Sequence, residues 1–138
     1  MRSRRWGQGL LVAAGLLNAV PMIGAVSPRW ARSAYGLAEV SSDVEVLLRH
    51  RAVLFAIVGV GLLVAAFRPH LRNAAVAANV TSFVGFVFLV LDEGSRDPSL
   101  VRIAWFDVAG LIALAAGYGL VKRTEVSDLE SIRVAVPR

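Results

Sequence analysis

Four long apolar blocks, separated by short polar stretches, set the pattern of this chain. The first, residues 7–27, follows Arg2, Arg4 and Arg5, with Trp6 at its edge. The second, 43–67, starts at Ser42-Asp43-Val44-Glu45, which reads as a capping box, and stops at Arg68-Pro69. The third, 73–91, follows a basic turn over Arg68 to Arg72. The fourth, 100–121, follows the polar loop Asp92 to Ser99, where Asp97 or Ser99 can cap the helix, and Lys122-Arg123 closes it. About 20 residues at ~1.5 Å each cross ~30 Å of hydrocarbon, so every block is long enough to span a bilayer.

Between the first two blocks, Trp30, Ala31, Ala34 and Tyr35 beside Arg29 and Arg32 predict a short interfacial helix ended by Gly36. Pro21 predicts a kink in the first helix. A cleaved signal peptide is the rival reading of the first block. Pro28 just after Ala25-Val26-Ser27 is a poor cleavage context, and the apolar run is longer than a signal core, so the block is read as a retained helix. The expected fold class is an all-α integral membrane four-helix bundle with a short interfacial segment between helices 1 and 2. The four-helix domain takes residues 1–123, and 124–138 reads as a polar, solvent-exposed tail.

Composition supports this reading. The chain is 57% hydrophobic and 18% charged, against about 25% charged for a soluble domain, and its mean hydropathy is +0.64. The formal charge of +5 does not point to nucleic acid, because the basic residues punctuate the apolar blocks rather than lining one face. Absence of cysteine excludes disulfides, thiolate catalysis and cysteine-ligated metals. A single lysine beside many arginines, with heavy use of Ala, Val and Gly, suggests a high-GC bacterial genome. Four spans put both termini on one side. The cations near that side (Arg2, Arg4, Arg5, Arg68, Arg72, Lys122, Arg123) modestly outnumber those opposite (Arg29, Arg32, Arg96 and Arg102, plus Arg49 and Arg51 where these are not buried), which predicts cytoplasmic termini in a plasma (inner) membrane.

The candidate chemistry lies in polar residues within the blocks. Counted up from the basic ends, Asn18, Arg49, Arg51 and Asp107 fall roughly 20–28 Å along their helices, in one layer; Ser82 lies roughly 15 Å up. Asn18 shares a face with Gly15, Met22 and Ala25; Arg49 with Glu45, Ala52, Ala56 and Gly59; Ser82 with Ala75, Ala78 and Gly85; Asp107 with Gly110, Leu114 and Gly117. Small-residue faces are where membrane helices approach closely, so these polar groups should look inward. An aspartate in hydrocarbon costs at least ~2.5–3.5 kcal/mol, so Asp107 is expected to pair with Arg49 or Arg51, with Glu45 a competing partner for Arg49. Arg49 is the expected inward arginine. The bland alternatives are that the arginines snorkel to head groups and that Asn18 and Ser82 are interhelical glue.

Gly59-Val60-Gly61 lacks the context of a phosphate cradle, and His50 and His70 sit near opposite membrane faces, so no metal or other cofactor is expected. Phe83, Phe86 and Phe88 read as packing or lipid-facing residues.

Several pieces resemble a known group: Asn18-x-x-Pro21, Ser27-Pro28, Tyr35-Gly36, the run Leu47 to Phe55 around Arg49-His50-Arg51, and Phe67-Arg68-Pro69. They are similar to small bacterial four-helix membrane proteins, broadly DoxX-like in size and layout. The resemblance covers Leu11 to about Val121, and the Arg-His-Arg stretch is its specific piece. Some of those proteins carry the label phosphopantetheine adenylyltransferase. That soluble α/β activity needs alternating strands and helices and a paired-histidine phosphate motif, neither of which is present. The resemblance implies a four-helix membrane fold and no established activity.

Three functional expectations follow. The first is a pocket open to the outer side that binds a lipid-like or small amphipathic ligand, with Arg49 or Arg51 meeting an anionic or carbonyl group and Asn18, Ser82 and Asp107 orienting it. The second is a membrane enzyme (isomerase, cyclase or epoxide-opening) with Asp107 as acid or base and His50 or an arginine stabilising charge. The third is a structural subunit that associates with a membrane-protein partner or with itself.

Overall fold

The computed structural model describes residues 2–135. Its elements are α1 (Arg2–Ala19), a 3-10 turn (Val20–Met22), α2 (Ile23–Val26), α3 (Pro28–Ala34), α4 (Ser42–Phe67), α5 (Pro69–Asp92) and α6 (Pro98–Ala135), with no strand among the described residues. Four helical segments are long and apolar enough to cross a membrane: α1 through α2, α4, α5 and α6. The expected all-α bundle is therefore seen, with helices of the length and apolarity that a multi-pass membrane protein needs.

Helix boundaries follow the local chemistry, with three departures from the sequence reading. Ser41, not Ser42, is the N-cap of α4: its Oγ accepts the Val44 N–H at 3.4 Å. Glu45 then falls one position past the capping-box site and accepts from Arg32 instead, at 3.4 Å. The basic turn at 68–72 shrinks to Arg68 alone, because Pro69, with its fixed φ and no N–H to lose, begins α5. Arg72 is consequently inside a helix, and buried. Finally, α6 does not stop at Lys122-Arg123 but runs on to Ala135. No Gly or Pro interrupts 120–135 after Gly119, so nothing local ends it. Residues 136–138 of the expected tail lie outside the described residues.

Helix α1 packs on α4 and α6, and α5 packs on the same two helices, so α1 and α5 face each other across the bundle. Glycines set the two tightest approaches. A Cβ built at Gly59 would lie 2.6 Å from the Gly15 carbonyl oxygen, and one at Gly7 would lie 2.9 Å from the Gly117 carbonyl oxygen. These are the close helix contacts expected of small-residue faces. Gly85 is different: a Cβ there meets nothing, so the small face around Ser82 is only partly used. The apolar core runs through Leu11, Ala14, Leu62, Ala66, Phe83, Leu114 and Val121.

The start of α1 meets late α6, where Ser3 Oγ and Thr124 Oγ1 are 3.2 Å apart. This is the terminal end of the bundle. The other, loop end carries α3 and the α5–α6 loop. There Gly36, at φ +69°, lies against Ser99, and Asp97 caps α6 by accepting the Ser99 and Leu100 N–H groups at 2.8 and 3.2 Å.

Candidate functional site

The loop end is where the helices are least regular, and the irregularity is written in prolines. Pro21 cannot donate a backbone hydrogen bond, and the chain responds with the 3-10 turn before α2. Pro28 then begins α3, with the Ser27 Oγ accepting the Trp30 N–H at 3.4 Å. Helix α3 ends at Tyr35-Gly36, as the sequence predicted. The result folds α3 back over α2 and α4. Gly24 and Ala31 pack closely there: a Cβ built at Gly24 lies 3.0 Å from the Ala31 Cβ and 3.7 Å from the Ala52 Cβ.

Above this small-residue contact lies a cavity of about 380 Å³ between α1, α2, α3, α4 and α6. Leu17, Val20, Leu48, Ile103 and Phe106 give it an apolar wall. Its polar groups are Trp30, Tyr35, Arg102 and Asp107. Among the described residues, no hydrogen bond or ion pair engages the Asp107 carboxylate or the Tyr35 hydroxyl. Burial raises the Tyr35 hydroxyl above the usual phenol range; Arg51 opposes the rise and Asp107 adds to it. Tyr35 therefore stays a protonated donor at neutral pH.

The sequence-derived residues separate into different environments. Asp107 lines the cavity. Arg51 does not line it but stacks behind it, with its guanidinium carbon 5.4 Å from the Tyr35 ring centroid and 4.9 Å from those of Phe55 and Phe86. Cation–π contact of this kind satisfies a half-buried guanidinium without a carboxylate. The expected ion pair of Asp107 with Arg49 or Arg51 is thus absent among the described residues. Arg49, expected to point inward, is exposed, and its Nε donates to the Ala25 carbonyl at 2.9 Å. That carbonyl is in the last turn of α2, where helical donors run out, and it draws the cation aside. His50 is also exposed and lines a separate groove of about 300 Å³ with Ala25, Val46, Arg49 and Val53. Asp107 and His50 are consequently in different pockets.

Asn18 and Ser82 do come together, but around a residue that sequence reasoning passed over. Asn18 Nδ2 donates to Asn79 Oδ1 at 2.8 Å, and Ser82 Oγ donates to Asn18 Oδ1 at 3.2 Å. Asn79 Nδ2 donates to the Val58 and Ala75 carbonyls at 3.1 and 2.8 Å. This closed network ties α1, α4 and α5 and lines neither pocket. Asn79 lies three residues before Ser82 and four after Ala75, so it shares the very face that singled out Ser82.

The terminal end holds a second missed cluster. Arg72, only 2% exposed, pairs with Glu125 of α6 through Nη1. Its Nη2 donates to the Ala66 carbonyl at 3.3 Å, which also accepts from Gln8 at 3.2 Å. The Arg72 Nε has no hydrogen-bond partner. Pro69 was the available signal, since a proline at the first helical position puts Arg72 one turn inside.

The chain matches no known protein family, no curated protein and no solved structure.

Proposed function

We propose that this protein is a binding module of the plasma membrane, with cytoplasmic termini, whose loop-end cavity holds a small amphipathic or lipid-like ligand. The observation that carries this reading is the pair of unengaged polar groups, Asp107 and Tyr35, in a largely apolar cavity of about 380 Å³ that Trp30 and Arg102 also line. That volume is in the range of small-molecule sites, roughly 300–1,000 Å³. A carboxylate within a membrane-spanning helix is costly and marks a site by default. The ligand's apolar body would lie against Leu17, Val20, Ile103 and Phe106. Its head would offer a donor to Asp107 and an acceptor to Tyr35 or Arg102, with Arg51 holding the Tyr35 ring from behind. Asn18 and Ser82 act at a distance, fixing α1 against α5.

Intact-mass spectrometry of the purified protein tests this. A small amphiphile should co-purify with the wild type and be lost in both Asp107→Asn and Ala34→Phe, the second of which fills the cavity. Retention of the same molecule by both variants would overturn the proposal.

The same two groups favour a second reading. A carboxylate and a phenol in an apolar cavity form an acid–base pair suited to isomerase, cyclase or epoxide-opening chemistry. Here Asp107 is the base or acid and Tyr35, rather than His50, the partner. Under this reading Asp107→Asn abolishes turnover of a bound apolar substrate while binding survives; loss of binding and turnover together favours the binding module.

A further inference from the structure

The groove lined by Arg49 and His50 is distinct from the cavity just described. Gly24, Leu48 and Ala52 face the cavity, whereas Ala25, Arg49 and Val53 face the groove, so the α2–α4 contact separates the two. Arg49 is held there by one atom only. Its Nε is fixed to the Ala25 carbonyl, and neither terminal NH₂ group is hydrogen-bonded among the described residues. Its nearest sequence-neighbour carboxylate, Glu45, is already engaged by Arg32. The guanidinium is thus positioned with its fork of donors free, beside the imidazole of His50.

Depth sharpens the point. Arg49 is seven residues into α4, about 10 Å from the helix start. Helix α4 has 26 residues, or about 39 Å, close to the ~40–45 Å of a bilayer with its head groups. Arg49 therefore sits just below the head-group layer, within snorkelling reach of it, where unpartnered NH₂ groups are costly. Directly below run Val53, Ile57, Val60 and Val64, which are all exposed, at helical spacing and on one face. A donor pair above an apolar ridge matches a phosphate above an acyl chain.

We propose that this groove seats a membrane glycerophospholipid, with its phosphate on Arg49 and His50 and one acyl chain along Val53, Ile57 and Val60. Arginine recognises phosphate with two parallel hydrogen bonds, which the anchored Nε leaves available from the terminal NH₂ groups. The site reads the phosphate that all such lipids share, so phosphatidylglycerol and phosphatidylcholine both bind.

The test uses the full-length protein in detergent, incubated with phosphatidylglycerol, phosphatidylcholine or diacylglycerol of identical chains, and read by native mass spectrometry. The wild type should retain both phospholipids and not diacylglycerol. Arg49→Met should lower the retained fraction at least fivefold, whereas Arg96→Met, with the same charge loss in the α5–α6 loop, should leave it unchanged. Val53→Trp, which blocks the groove with Arg49 intact, should also lose the lipid and keeps the proposal testable if Arg49→Met folds poorly. Equal retention by Val53→Trp or a folded Arg49→Met, or equal binding of diacylglycerol, would overturn the assignment. Displacement of the lipid by millimolar glycerol 3-phosphate would make this a free-phosphate site and would also overturn it.

Discussion

The polar clusters at the two ends of the bundle differ in what surrounds their carboxylates, Glu125 at one and Asp107 at the other. At the terminal end and the midplane, Gln8, Asn18, Arg72, Asn79, Ser82 and Glu125 are partnered by one another or by backbone carbonyls, and Asn18, Arg72 and Asn79 are buried. At the loop end, Asp107 and Tyr35 have no such partners, and a cavity opens beside them. The residue types are similar; the difference is the backbone around them. Long helices with glycines at 7, 15, 59 and 117 approach closely, whereas Pro21 and Pro28 break the chain into short pieces beside which the cavity remains. A polar group that finds a protein partner contributes to stability. One that does not, beside a cavity, is what the proposed binding function rests on.

That contrast breaks most sharply at Arg72 and Glu125. Glu125→Ala leaves a guanidinium that is 2% exposed with only the Ala66 carbonyl, and should cost about 3–5 kcal/mol in detergent unfolding. Arg72→Met should cost less, because Glu125 is one-third exposed and water can reach it. The reverse order would show that the pair is not buried in the way described. Next, Gly59→Val forces a Cβ into the Gly15 carbonyl and should cost about 1–3 kcal/mol or more. Gly85→Val, facing open space, should be near neutral in the same assay.

Smaller again is the midplane network. Asn79→Leu removes three hydrogen bonds, yet interhelical bonds in membranes are worth only about 0.6–1.7 kcal/mol each, and a loss of roughly 1–2 kcal/mol is expected by thermal unfolding. Asp107→Asn should change stability least, by less than about 0.5 kcal/mol, because no hydrogen bond or ion pair among the described residues engages its carboxylate. A large loss there would move Asp107 from the site to the scaffold.

What the sequence made legible follows the same division. Spans, the α3 segment, its Gly36 stop and the small-residue contacts at Gly15, Gly59 and Gly117 were readable, because helical period and glycine placement are local signals. So was Asp107, whose charge alone makes it conspicuous in an apolar block. The partner assignments were not. Arg49 and Arg51 differ by two positions on one helix, and which one turns inward depended on the free Ala25 carbonyl and on the Tyr35, Phe55 and Phe86 rings, brought near only by the fold. Arg72 and Glu125 were placed in a turn and a tail because their pairing is 53 residues apart in sequence. Asn79 was overshadowed by Ser82 on the same face.

If the loop-end cavity, and not the polar midplane, is the binding site, Trp30 reports on it directly because it lines that cavity. With the exposed Trp6 and Trp105 changed to phenylalanine, Trp30 is the remaining fluorophore. Titration with a monoacylglycerol in detergent should shift its emission saturably, with the response lost in Asp107→Asn and kept in Asn79→Leu. A non-saturating shift of equal size in the parent protein and Asp107→Asn would contradict the account.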